Sequence, residues 1–403
     1  MRDRLTVLSH KIELRPTPSQ VLKLSRAAGC ARFAWNWGLA EWNRRYEESL
    51  TNPDRRRPNI VDIKKEWSQV KHSAFPWLSE SPANANLQPF DHLGIAFKRF
   101  FQKKAGHPRF KKKGRHDSFY IDNQKMKLTD TLVRLPKIGA VRLTEPLRFD
   151  GKILRGVVSR EADRWFLSMS VDLQNASRPR TGDETVGVDL GLTSLAVLST
   201  GEEIVNPHAL ARHLKRLRRL QRRHSRRRPG SKNRARSARR IGKLHWRIGN
   251  IRKNAVHKLT ARLCRENQKV VIEDLGVRTM LKNRRLSRAI ADAGWSEIRR
   301  QLTYKAALHG TKIVVADRYF PSSRLCSRCG SMKVDLALSD RIYICASCGL
   351  QMNRDLNAAL NLRTLGLRGT YACGEHVRPA DQGRLAVLVE SGSRTDSQEF
   401  ESG

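Results

Sequence analysis

The chain has 403 residues, enough for two or three ordinary cores, and carries 79 Lys and Arg against 38 Asp and Glu, a formal net charge of +41. Self-repulsion on that scale destabilises a compact state unless a polyanion neutralises it, so nucleic acid is the expected partner. No apolar run approaches a membrane span, and MRDRLTVLSHKIELRP lacks the apolar core of a signal peptide, which excludes membrane-spanning and secreted classes and predicts a cytoplasmic protein.

In chain order, HKIELRP reads as a short strand, and Pro18 and Ser19 open a helical segment from Gln20 to about Leu50. TNPDRRRPN interrupts the pattern. A second helical block, NLQPFDHLGIAFKRFFQKK, sets Leu93, Ile95, Phe97, Phe100 and Phe101 among its apolar positions before GHPRFKKKGR ends it. After residue 118 the period becomes alternating. SFYI, LVRLPKI, AVRLTEP and RGVVSREADRWFLSMSVDL read as strands, the last with Trp165, Leu167, Met169, Val171 and Leu173 on one face. These predict a small antiparallel barrel or sheet with a helical insertion, and QNASRPRTGDET is the expected domain boundary.

Beyond it, ETVGVDLGLTSLAVLSTGEEI predicts a strand hairpin. Two long helices follow around a turn at Pro229 and Gly230, seamed by Leu214, Leu217 and Leu220 and by Leu244, Ile248, Ile251, Ala255, Leu259 and Leu263. Residues 211–258, within this pair, hold 20 Lys or Arg and no Asp or Glu, so the run has no acidic partners at helical spacing and reads as a phosphate-binding surface. KVVIEDLG as strand, WSEIRRQLTYKAALHG as helix and TKIVVADRYF as strand argue for an α/β sheet. The segment from about Gly374 onward is polar and is expected to be disordered.

Seven cysteines, four in paired CxxC spacing, suit reduced thiols and a metal better than disulfides. Cys30, Cys264 and Cys373 stand alone and read as buried or incidental thiols. Cys326, Cys329, Cys345 and Cys348 form two knuckles, each followed by a glycine, Gly330 and Gly349, and predict a structural four-thiolate zinc site. A closed site of that kind offers no catalytic position, so chemistry must come from oxygen ligands. Asp189 interrupts the apolar strand VGVDLG, Glu273 ends VVIE, and Asp355 begins the helix DLNAALNLR. Carboxylates brought together from strand ends and a helix start suit hard divalent ions, and two Mg²⁺ ions about 4 Å apart clamp the oxygens of a phosphodiester. Each acid has a plainer alternative: a turn for Asp189, an arginine partner for Glu273, a helix cap for Asp355. Asp274 is a rival for the second ligand.

VGVDLGLTSLAVLSTG, VVIEDL, DRYFPSSRLCSRCG and SDRIYICASCGLQMNRDLNAALN, in that order, resemble the TnpB (OrfB) proteins of insertion sequences, RNA-guided DNA endonucleases related to type V CRISPR effectors. KIELRPTPSQ, GCARFAWNWGLAEWN, GHPRFKKK and AGWSEIRRQLTYKA fit the same family, so the resemblance covers nearly the whole chain. It implies an α/β plus β protein. Residues 1–178 would form a wedge-like β-barrel with a helical recognition insertion at about 18–105. Residues 179–368 would form a RuvC-like, RNase H-type nuclease domain carrying a basic hairpin at 208–267 and a zinc ribbon at 320–352, and 369–403 a disordered tail. In it Asp189, Glu273 and Asp355 match the catalytic, magnesium-binding triad. The implied partners are a guide RNA transcribed from the element's end, double-stranded target DNA beside a short target-adjacent motif, and a separate transposase of the same element, in a prokaryotic, nucleoid-associated setting. Asn353 stands where the family often has aspartate; the match places the catalytic acid at Asp355. Relatives that have lost triad acids act as RNA-guided repressors, whereas this chain keeps all three. A guided regulator without cleavage, or a transposase performing strand transfer itself, are the alternatives.

Overall fold

A computed structural model describes residues 6–173, 181–182, 184–337 and 339–368. The expected boundary segment lies mostly, and the tail with Cys373 wholly, outside the described residues. These fall into two compact units, one of residues up to 173 and one from 181 onward.

The first unit opens with β1 (Thr6–Arg15) and α1 (Pro18–Thr51). Thr17 caps α1 in a reciprocal box with Gln20, and Pro18 at the first turn presets the helical φ, which is why the helix starts where the sequence signals it. α2 (Ile60–Ala74), capped by Asn59, and α3 (Ala83–Phe101) pack against it. α2 is not among the elements expected from the sequence, although Ile60, Ile63, Trp67 and Val70 recur at helical spacing and Ile63 and Trp67 are buried. Trp67 and Phe90, both fully buried, centre the core of this bundle. On α3, Leu93 and Phe97 face inward, but Ile95 and Phe101 are exposed, so the apolar run is wider than the buried face.

β2 (Ser118–Asp122), β3 (Lys127–Leu128), β4 (Leu132–Leu135), β5 (Gly139–Leu143), β6 (Lys152–Glu161) and β7 (Arg164–Leu173) join β1 in one sheet, ordered β2-β6-β7-β1-β5-β4-β3. Every ladder in it is antiparallel, and among the described residues none joins β2 to β3, so hydrogen bonds leave the sheet open. The expected alternation on β7 holds: Trp165, Leu167, Met169, Val171 and Leu173 are all buried.

The second unit is built on β8 (Glu184–Asp189), β9 (Ser194–Leu198) and β10 (Glu203–Val205), an antiparallel meander. α4 (Ala209–Ser225) and α5 (Lys232–Glu266) form the basic hairpin and lead into β11 (Asn267–Glu273). α6 (Val277–Met280), α7 (Ser287–Ala293), α8 (Trp295–His309) and β12 (Lys312–Ala316) follow. A small hairpin, β13 (Ile342–Ile344) and β14 (Gln351–Asn353), precedes α9 (Arg354–Leu367). The sheet order is β10-β9-β8-β11-β12, with β8, β11 and β12 parallel. α9 lies directly on β8 and β11. Gly187 makes this possible: a Cβ there would stand 2.0 Å from the Ala359 carbonyl oxygen and 2.5 Å from the Arg363 nitrogen. On the described residues no helix is long and apolar enough to cross a membrane.

In the hairpin Leu217 packs against Leu244 and Ile248 as expected, with Leu220 and Ile251 against them but Leu210 in the cluster in place of Leu214, while the second half of α5 enters the main core through Val256, Leu259 and Leu263. Its root is held by a residue the sequence did not point to. The buried carboxylate of Asp292 on α7 accepts from Leu210 N at 2.9 Å and 3.0 Å and from Ala211 N at 3.4 Å, standing in for a cap that His208 does not supply. Asp292→Ala should therefore lower the unfolding free energy by about 1–3 kcal/mol, read as a lower urea midpoint, with Asp292→Asn losing less.

Candidate active site

Parallel pairing sets Ile272 of β11 opposite Val188 of β8, so Asp189 and Glu273 end adjacent strands side by side. Ligands of open α/β sheets gather at this carboxyl edge. α9 starts there and brings Asp355 in its first turn. The three acids feel one another. Asp189 has its proton affinity raised well above that of an ordinary aspartate, first by burial and then by the charges of Glu273 and Asp355, against a smaller opposing pull from Arg354. Glu273 is also pushed up, by burial, with the Ser322 hydroxyl working against it and Asp355 adding to it.

Two of the plainer alternatives fall to other partners. The helix cap is Asn353, whose Oδ1 accepts from Asp355 N at 2.8 Å and Leu356 N at 3.1 Å. Among the described residues Glu273 accepts a hydrogen bond from the Ser322 hydroxyl rather than from an arginine. The rival Asp274 turns to arginines: it accepts from Arg299 at 2.6 Å and Arg318 at 2.7 Å. Burial pushes the Asp274 carboxyl up, but those two hydrogen bonds win and hold it below the usual range.

Before α9 comes the four-cysteine segment. The sulfurs of Cys326, Cys329, Cys345 and Cys348 lie within 4.8 Å of one another, a set able to hold a metal ion. The two knuckles match: Gly330 N donates to Cys326 O at 2.9 Å and Gly349 N to Cys345 O at 3.0 Å. Both glycines have positive φ, 75° and 71°, the conformation for which the sequence reserves them.

Two asparagines, missed in the sequence, tie this segment to α9. Asn357 accepts from Ser327 N at 3.0 Å and donates to Leu325 O at 2.7 Å, and Asn361, one turn on, donates to Ser322 O and Leu325 O at 2.7 Å and 2.8 Å. Polar residues four apart on a buried helix face, in DLNAALN, were the available signal. Asn357 is fully buried. Asn357→Ala should cost about 1–3 kcal/mol through unpaired backbone groups, with faster hydrogen exchange at the Ser327 amide as its local sign.

The fold and site define a mixed-sheet α/β unit with acids converging at the carboxyl edge. The fold is that of the Cas12f1 in "Cryo-EM structure of the Cas12f1-sgRNA-target DNA complex", at a TM-score of 0.53 and 16% identity over 86% of this chain and 82% of that one. Family profiles match residues 168–284 ("Probable transposase", OrfB of IS605), 295–362 ("Cas12f1-like, TNB domain") and 6–50 ("Helix-turn-helix domain"). In this structure residues 6–50 form β1 and the single helix α1 rather than two helices. A Streptomyces pristinaespiralis protein named "Putative RNA-guided DNA endonuclease" is 40% identical over 94% of this chain and 95% of its own. InsQ of Escherichia coli K12, with the same description, is 32% identical over 91% and 94%. The chain belongs to the TnpB (OrfB) family.

Proposed function

We propose that this protein is an insertion-sequence RNA-guided DNA endonuclease whose phosphodiester chemistry runs at Asp189, Glu273 and Asp355. The observation that supports the reading most is the meeting of three acids from β8, β11 and α9 at one sheet edge, where burial and mutual repulsion raise the proton affinity of two of them. An all-oxygen anionic set of this kind fits Mg²⁺, which offsets the repulsion. When bound, the metal supplies Lewis-acid stabilisation of the phosphate and activation of water. The residues themselves set the stage: Ser322 orients Glu273, Asn353 relieves Asp355 of capping, and Gly187 lets α9 lie against β8. We assign Zn²⁺ to the four cysteines, as a closed structural site. In this reading the RuvC-like domain spans 179–368, and the basic hairpin holds phosphates of guide RNA or heteroduplex.

The test is a purified complex whose copurified RNA is sequenced and then matched to a plasmid target beside candidate target-adjacent motifs. Mg²⁺-dependent cutting of the matched plasmid alone is the expected result. Matched binding without strand scission would instead establish a guided regulator, and cutting that ignores the guide would remove the RNA-guided reading.

A further inference from the structure

Asp317, Arg318 and Tyr319 follow β12 and reach the site edge. Phe320 packs on the cluster of Val271, Val314 and Leu362, but the Tyr319 ring is 86% exposed. Nearby, Asp274 joins one nitrogen of Arg299 to one of Arg318. The Asp274 side chain is 23% exposed and the arginines 54% and 57%, so the anion is covered while the cations face solvent. Two cations on one carboxylate give this trio one net positive charge beside Glu273, with the Asp317 carboxylate on the same cleft accepting from Tyr319 N at 2.8 Å. Each guanidinium has five N–H donors, most of them not engaged by Asp274. Ion pairs this exposed add little to stability, which gives little reason to gather two arginines here. Two clefts meet at this point. One is lined by Ser322, Tyr319 and Arg324, the other by Leu190, Trp295 and Arg299, and both include Glu273, Asp274 and Arg318.

We propose that Arg299, Arg318 and Tyr319 form a nucleotide subsite for the DNA strand being cut: the guanidiniums, spaced by Asp274, hold one phosphodiester beside the carboxylates, and the Tyr319 ring stacks on an adjoining base. Paired guanidiniums suit the forked recognition of phosphate oxygens, and an exposed aromatic beside them is the usual platform for an unpaired base. The subsite rests on the nuclease reading, since it positions the strand at the same edge.

The test uses the full chain with its copurified RNA and guide-matched DNA carrying 5-iododeoxyuridine at single positions around the cut, irradiated in EDTA so that strand placement is read without cutting. A crosslink to Tyr319 is expected at one or two positions, with its yield lowered about tenfold in Arg318→Ala and in Arg299→Ala and partly kept in Arg318→Lys. With Mg²⁺ restored, Arg318→Ala and Tyr319→Ala should each cut unmodified DNA about tenfold more slowly at an unchanged thermal midpoint. Crosslinks that avoid Tyr319 at every position, or yields unaffected by both arginine changes, overturn the subsite. A wild-type complex that crosslinks at Tyr319 yet never cuts overturns the endonuclease reading and leaves the subsite standing.

Discussion

Asp189→Asn is expected to abolish DNA cutting and, in EDTA, to raise the thermal midpoint. The two effects share one cause. Asp189 is the acid most burdened by burial and by its neighbours' charges, so without a cation its ionised form works against the fold. Asparagine keeps the shape and removes the charge. A rise of about 2–4 °C corresponds to roughly 1 kcal/mol in a domain of this size, while loss of one anionic ligand should slow cutting about a thousandfold or more. Adding Mg²⁺ should stabilise the wild-type protein and the variant much less, because a ligand that binds only the folded state raises its midpoint. Calorimetry with and without Mg²⁺, beside a plasmid-cutting assay, reads all three. A variant that cuts normally, or that melts lower in EDTA, would sink the assignment.

Stripping metal from the four cysteines, or making Cys345→Ser, should silence cutting nearly as completely, although no cysteine stands among the carboxylates. The segment's own core is small: Cys326, Tyr343 and Cys345 are buried, with Leu336, Cys348 and Leu350 packed against them. A core of that size does not hold a fold unaided, whereas zinc bound to small domains contributes about 10–16 kcal/mol. When it loosens, Asn357 and Asn361 lose their partners at Leu325 and Ser327, and Ser322 loses its hold on Glu273. The expected signature is release of about one zinc per chain to a chromogenic chelator, in step with loss of cutting. Metal-free protein, verified by mass spectrometry, that still cuts at the full rate would refute this coupling.

As candidates, Asp189 and Glu273 were legible because a charge inside or ending an apolar strand breaks a local rule, whereas Asp355 opens a helix, where an acid is ordinary, and was singled out by its place in the motif order. The knuckle glycines were legible because few other residues accept a positive φ. Asp292, Asn357 and Asn361 were not, since their partners lie 30 to 82 residues away and nothing local marks a polar side chain that answers distant backbone groups. α2 escaped although Ile60, Ile63, Trp67 and Val70 carry a helical stripe, because the proline-bearing run TNPDRRRPN just before it reads as a break. The rivalry between Glu273 and Asp274 could be posed from VVIED, but only the fold places Arg299 and Arg318 on the second acid.

The helix α5 runs 35 residues without a break, about 50 Å at the usual rise, and β11 begins at the very next residue. Its first half lies in the basic hairpin and its second half in the main core. It is therefore a single spar: a load applied at the cationic tip by a bound polyanion arrives, undamped by any loop, at the root of the strand that ends in Glu273.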